Sequence, residues 1–265
     1  MQLPPSIKLS GFIRHYLFLS GEDPVMHRLR LFPDGNTGIV FNLSSNLTLD
    51  NRCLPEAFIY GQISGYRDID CHGPAHLFII VVQPDGFNRL SGLSARELQD
   101  KVVSLTDFLG FRSLALQRAI VGSKTHDEKI MHTEAFFGEW MANHELTPDP
   151  LVTASIEMIR EHSGLIPIHE LAGSLGCHPR QLERHFTTAV GLSPKKFCNI
   201  IRAHTFLRQL RGTSRPSNLT GYAYDSGYYD QAHVIREFRQ ITGLTPSQYR
   251  KNTARLAVNF LGMGV

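Results

Sequence analysis

The chain has 265 residues, 42% of them hydrophobic, which allows one or two folded domains with real cores and excludes a disordered chain. No apolar run reaches the length of a bilayer span, and the first residues lack a charged-then-apolar leader pattern; the four cysteines are scattered without pairing, so a reduced cytoplasmic setting is expected. The net charge of +3 divides unevenly: residues 150–265 hold 14 basic and 7 acidic residues (+7), and residues 1–149 hold 13 and 17 (−4), so the phosphate-attracting part is the second one.

Residues 1 to about 90 read as short strands and turns. Phe12 to Leu19 is a strand candidate. Pro33-Asp34-Gly35-Asn36 is a turn signal, followed by the apolar run Gly38 to Leu43. Asp50-Asn51 marks another turn, and Ala57 to Tyr60 another short strand. His76 to Gln83 is continuously apolar over Leu77-Phe78-Ile79-Ile80-Val81-Val82, as suits a strand buried on both faces. Strands of this length with regular turns favour a small barrel or sandwich.

From Ser94 the period becomes helical. Ser94-Ala95-Arg96-Glu97 has the S-x-x-E form of a capping box. Arg112 to Val121 and Asp127 to His144 read as two further helices. On the second, Ile130, Glu134, Phe137, Trp140 and Met141 fall near one stripe. That stripe suits the barrel surface or a second copy of the chain, burial within the chain being the commoner use. Leu146-Thr147-Pro148-Asp149-Pro150 is the expected domain boundary: two prolines restrict the backbone, and Asp149 then caps a helix with Pro150 at its first position. The expected division is residues 1–147, a sensor or dimerisation domain, and 148–265, a DNA-binding domain.

The second domain opens with a helix from Pro150 to His162, with Ile156 and Ile159 inward. Two helix-turn-helix patterns follow. In the first, Leu171, Ala172 and Leu175 form the apolar side of a supporting helix, and Gly176 makes the turn. Pro179 pre-sets the next helix, in which Leu182 and Phe186 point inward. Arg180, Gln181, Glu183 and Arg184 then project outward. Arginine can bond guanine bidentately, glutamine adenine, and glutamate can accept from cytosine. A solvated helix face is the alternative for those four.

A long helix starts at Ser193-Pro194 and carries apolar residues through Leu210. Lys195, Lys196, Arg202, Arg208 and Arg211 are expected on its outside, some near phosphate. As a strut it would set the spacing of the two reading helices for successive major grooves, ~34 Å apart on one face of a duplex. Arg215-Pro216 closes it. In the second pattern Gly227 makes the turn and Asp230 caps the reading helix. Val234, Phe238 and Ile241 mark its buried face. Gln231, His233 and Arg236 are then outward readers, with Ala232 and Ile235 available for a thymine methyl. Thr245-Pro246-Ser247-Gln248 is a T-x-x-Q capping box that starts a last short helix.

With these motifs in place, residues 150–252 resemble the DNA-binding domain of the AraC family of bacterial transcription regulators. The specific part runs from Gly227 to Arg250: a Gly-Tyr-x-Asp-Gln-x-His turn, an Arg-x-Phe-Arg helix, then Gly243-Leu244-Thr245-Pro246-Ser247-Gln248-Tyr249-Arg250. The resemblance implies seven helices, and it implies base contact by Arg180, Glu183, Arg184, Gln231, Ala232, Ile235 and Arg236. Two departures stand out. His178 takes a cap position where the family usually has Ser, and Gly221-Tyr222 stands where it usually has an apolar residue and Ala. Less specifically, Phe32-Pro33-Asp34-Gly35, Gly38 to Leu43 and Ile80 to Gly86 resemble the amino-terminal region of one AraC subgroup, which implies a small β-barrel followed by helices.

The fold expected is therefore α+β in two domains: a β-barrel or sandwich with helices, then an all-α domain of two helix-turn-helix units on a connecting helix. The expected function is sequence-specific DNA binding that regulates transcription, modulated by a small molecule or by dimerisation through the first domain. Expected partners are double-stranded DNA, a small-molecule effector, a second copy of the chain and, by the resemblance, RNA polymerase. No membrane partner is expected. The competing reading is an enzyme or metal-binding protein built on the barrel, with DNA binding secondary. It would need a nucleophile with its base, or a metal cluster. His15, His27, His72 and His76 lack ligand spacing, and Cys53, Cys71, Cys177 and Cys198 lack it too, so neither a catalytic site, a metal nor a cofactor is expected. A third reading is a regulator whose first domain is purely structural, which a closed, fully packed barrel would favour.

Overall fold

The computed structural model describes residues 1–21, 26–44, 46–144, 147–212, 231–251, 257 and 259–264. The expectations for Arg215-Pro216, Gly221-Tyr222, Gly227 and Asp230 lie outside those residues.

Alternation along the strands builds the first domain. Two antiparallel sheets form, one in the order β1 (Gln2–Leu3), β2 (Ile13–Gly21), β9 (Ala75–Val82), β4 (Thr37–Asn42), β7 (Ala57–Tyr60), β10 (Val102–Ser104). The other has the order β11 (Phe260–Gly264), β3 (Met26–Leu31), β8 (Arg67–Cys71), β5 (Leu47–Leu49), β6 (Arg52–Cys53). Successive side chains of a strand point to opposite faces. On β9, Phe78, Ile80 and Val82 face one apolar core, and Leu77, Ile79 and Val81 face another. The first core lies under helices, the second against strands of the other sheet. That is why the run is apolar without a break. The turn at Asp50-Asn51 takes positive φ at both residues (50° and 61°), as a tight hairpin between β5 and β6 requires.

Helices α1 (Gly86–Ser91), α2 (Leu105–Leu109), α3 (Ser113–Gly122) and α4 (His126–Asn143) follow. Thr125 and Glu128 form the capping box of α4. The α4 stripe packs within its own chain: Phe137 is fully buried against Phe12 (ring centroids 5.3 Å apart), and Ile130, Trp140 and Met141 flank the same core. Glu134 Oε1 accepts from the Ser6 amide (2.7 Å) and the Tyr16 hydroxyl (3.3 Å), tying α4 to β2. The S-x-x-E signal at Ser94 yields only a 3-10 turn, Ala95–Leu98, without a side-chain cap. The chain leaves it at once for β10, so no helix is propagated beyond the first turn.

The second domain holds α5 (Pro150–Glu161), α6 (Ile168–Ser174), α7 (Pro179–Val190), α8 (Pro194–Gly212), α9 (Gln231–Thr242) and α10 (Pro246–Lys251). Asp149 Oδ1 accepts from the amides of Leu151 (2.9 Å) and Val152 (3.4 Å), which starts α5 at Pro150. One core gathers α5 to α8 around Leu171, Leu182, Phe186 and Phe197. A second gathers Phe206, Leu207, Val234, Phe238 and Tyr249 from α8, α9 and α10, together with Phe32 and Leu261.

Those last two residues show how closely the domains are joined. Phe32 leaves its own sheet to fill the core beneath α9. The carboxyl-terminal strand β11 returns to pair antiparallel with β3, Phe260 opposite Leu31 and Met263 opposite Arg28. Local pattern does not reveal this return, because only β3, far away in sequence, supplies the edge.

Candidate nucleic-acid interface

The helix expected to read the first groove segment is α7. Its amino terminus is capped by His178, whose Nδ1 accepts from the Arg180 amide at 3.2 Å, so histidine does here what serine does more often. Leu182 and Phe186 are fully buried, Phe186 edge-on to Phe197 with ring centroids 5.4 Å apart. Helical geometry then fixes the opposite face: Arg180, Gln181, Glu183 and Arg184 are all exposed. No acidic residue lies in the first turn, where the helix dipole is positive.

The position of α7 is set from both ends. His185 Nδ1 donates to Asp149 Oδ2 at 2.7 Å, linking α7 to the cap of α5. At the other end Gly191 has φ +87°, a left-handed helix terminus. A Cβ at Gly191 would lie 2.8 Å from the Ala95 carbonyl oxygen, so this glycine also permits close docking on the 3-10 turn of the first domain.

The helix expected to read the second groove segment is α9. Val234, Phe238 and Ile241 are buried, and Ala232, Ile235 and Arg236 are exposed. For Gln231 and His233 the structure describes the backbone only, as the first and third residues of α9. At its far end, Gln248 Oε1 accepts from the Thr245 amide (2.8 Å) while the Gln248 amide donates to Thr245 Oγ1 (3.2 Å), the expected capping box of α10.

Helix α8 runs between the two units. Phe197, Ile200, Ile201, Leu207 and Leu210 are buried as expected. His204, buried, donates from Nε2 to the Pro33 carbonyl at 2.6 Å, fixing α8 to the turn after β3. Arg202 departs from its expected role outside the helix. It faces α9, where Nη2 donates to Glu237 Oε2 at 2.7 Å, and the two side chains are only 17% and 9% exposed. Glu237 precedes the buried Phe238 and sits on the inner side of α9, and it draws Arg202 inward. Lys195 and Arg208 remain exposed.

A cavity of about 30 Å³ lies between the sheets against Val40, Phe58, Ile69 and Ile79, with the Arg67–Asp100 ion pair at its edge. That is room for a water molecule, far below the ~300 Å³ of a small-ligand site. Among the described residues no group of three or more His, Cys, Asp and Glu could hold a metal ion. Burial pushes the Cys71 and Cys198 thiols up to about 11, so neither is a thiolate near neutrality. No helix among the described residues is long and apolar enough to cross a membrane.

The fold and the paired exposed helix faces define a two-domain protein of the helix-turn-helix class. Residues 171–252 match a family model described as a helix-turn-helix domain, and residues 1–104 match one described as a domain of unknown function (DUF6597). A putative AraC-like transcription regulator of Streptomyces antibioticus is 27% identical over 114 residues, which are 43% of this chain and 36% of that protein. The chain thus matches about a third of that relative's length. ToxT from Vibrio cholerae O395 has the same fold: TM-score 0.50, 12% identity, covering 89% of this chain and 96% of that one. A further ToxT structure, from strain SCE256 with an unsaturated fatty acid bound, gives a TM-score of 0.49 at 12% identity over 89% of this chain and 94% of that one. Residues 171–252 thus carry a helix-turn-helix domain, and the chain is similar over part of its length to an AraC-like regulator.

Proposed function

We propose that this chain is a sequence-specific regulator of transcription that binds double-stranded DNA in the cytoplasm. Residues 148–265 do the binding, and residues 1–147 modulate it through a small molecule or a second copy of the chain. One observation carries the reading: α7 and α9 each bury an apolar face and leave residues suited to base contact on the other, and both pack on α8. Arg180, Gln181, Glu183 and Arg184 read one groove segment. Gln231, Ala232, His233, Ile235 and Arg236 read the next, with Ala232 and Ile235 against thymine methyls. RNA polymerase is the partner through which such binding acts on transcription.

Modulation has a physical route. The barrel touches both halves of the second domain, at Ala95 against Gly191 and at Phe32 in the core of α8 to α10. A ligand acts only by binding two arrangements unequally, and these contacts give a shift of the barrel a way to reach both reading helices.

The test is selection of duplexes from a random library by the full chain, followed by fluorescence anisotropy on the enriched site. The enriched site should bind roughly 10³-fold or more tightly than random duplex, with affinity falling steeply as salt rises. Failure to enrich any site, or equal affinity for all duplexes, refutes the reading.

A further inference from the structure

The seam between the domains holds a second cavity, outside the barrel, of about 350 Å³. That size suits a small molecule. Its walls come from both domains: Arg14 and His15 on β2, Asp34 in the turn after β3, Arg160 on α5, and Ile201 and Arg208 on α8. Ile201 is the one aliphatic side chain among the lining residues, and the rest are polar or charged. An acyl chain finds no surface here, whereas a polar ion does.

The charges do not balance. Arg14, Arg160 and Arg208 face a single carboxylate, Asp34. That carboxylate already accepts from the Asn36 amide (2.9 Å) and from Asn36 Nδ2 (3.0 Å). Arg160 is half-buried, and its donors reach only neutral amides: Nη1 to Gln83 Oε1 at 3.3 Å and Nη2 to Asn36 Oδ1 at 3.2 Å. Among the described residues neither Arg14 nor Arg160 has a carboxylate within ion-pair distance. Burial first, and then the neighbouring charge of Arg14, lower the Arg160 pKa to about 10, while Asp34 and Asp85 pull the other way. Asp85 belongs to an adjoining cleft beside Arg89. A guanidinium withdrawn from water, set near a like charge and given only neutral partners is a costly arrangement that an anion would relieve.

We propose that this cleft binds a small polar anion with two or more charged oxygens, carboxylate or phosphate, held between Arg14 and Arg160 with Arg208 at the rim. Arginine's planar fork matches both kinds of oxyanion. Because Arg14 lies on the barrel and Arg160 and Arg208 on the helical domain, the anion joins the two. Its effect on DNA affinity rests on the function proposed above, but its binding does not.

The experiment is calorimetric titration of the DNA-free full chain with citrate and with inorganic phosphate, at constant ionic strength in chloride. Saturable binding of citrate identifies a carboxylate site, and of phosphate a phosphate site. Arg14→Gln and Arg208→Gln, both at exposed positions, should each weaken that binding by about tenfold or more. Arg52→Gln, on the distant hairpin strand β6, should leave it unchanged. Absence of saturable binding by either anion overturns the proposal, as does equal weakening by Arg52→Gln, which would mean diffuse attraction. Anisotropy on the selected duplex with and without the bound anion then reads the regulatory step. A chain that binds the anion but no DNA contradicts the regulator and leaves the site standing. A chain that binds DNA but no anion does the reverse.

Discussion

Glu237 offers the sharpest test of how the second reading helix is held. Its carboxylate accepts from Arg202 at 2.7 Å, and the pair sits between α8 and α9 with exposures of 9% and 17%. Glu237→Leu would leave the Arg202 charge largely withdrawn from water. Removing one member of a fully buried pair costs about 3–5 kcal/mol. Arg202 keeps some contact with water, with Asn199 Oδ1 at 3.4 Å and with further neighbours, so a loss below that range applies, about 2–3 kcal/mol. Replacing both residues, Arg202→Met with Glu237→Leu, removes the stranded charge and should recover most of that loss, to within about 1 kcal/mol of the parent. Urea unfolding followed by circular dichroism gives both numbers, and the double-mutant cycle isolates the coupling. DNA affinity should follow the same order, because Arg236 and Ile235 are neighbours of Glu237 on α9. A double variant as unstable as the single one would refute the account, since the loss would then come from packing and not from an uncompensated charge.

Arg184→Ala should cost about 1–3 kcal/mol of DNA binding, concentrated at one base position, when affinities for a set of singly substituted duplexes are compared. A loss spread evenly over all duplexes would place Arg184 on phosphate instead. Phe186→Ala, at a fully buried ring, should lower stability by about 3–5 kcal/mol in denaturant titration. Asp100 supplies a pH test. Burial alone would raise its pKa, but hydrogen bonds from Ser64 and the charge of Arg67 outweigh burial and hold it below the usual carboxylate value. A group depressed in the folded state stabilises above its unfolded pKa, about 3.9, and loses that contribution as pH falls through the folded value. Asp100→Asn should therefore be less stable than the parent at pH 7, the gap narrowing as pH falls below about 3.9 and through the lower folded value. A gap that stays constant with pH would show that the carboxylate charge is not what matters.

What the sequence decided by itself was local. The apolar runs of β4 and β9, and above all the unbroken one from Leu77 to Val82, called for a sheet buried on both faces. Spacing of Leu182 with Phe186, and of Val234, Phe238 and Ile241, settled which side of each reading helix turns inward, and so which residues remain outside. Caps at Asp149 and Thr245 marked helix starts, because the donors they satisfy lie within three residues. Tertiary structure decided what depends on distant partners. A strand such as β11 has no meaning until β3 presents an edge, and Arg202 reads as an outer charge until Glu237 arrives from another helix. Phe32 looks like a barrel residue until α8, α9 and α10 close around it. The seam cleft follows the same rule: Arg14 and Arg160 stand 146 positions apart in the chain, and only the docking of barrel on helices makes their charges neighbours.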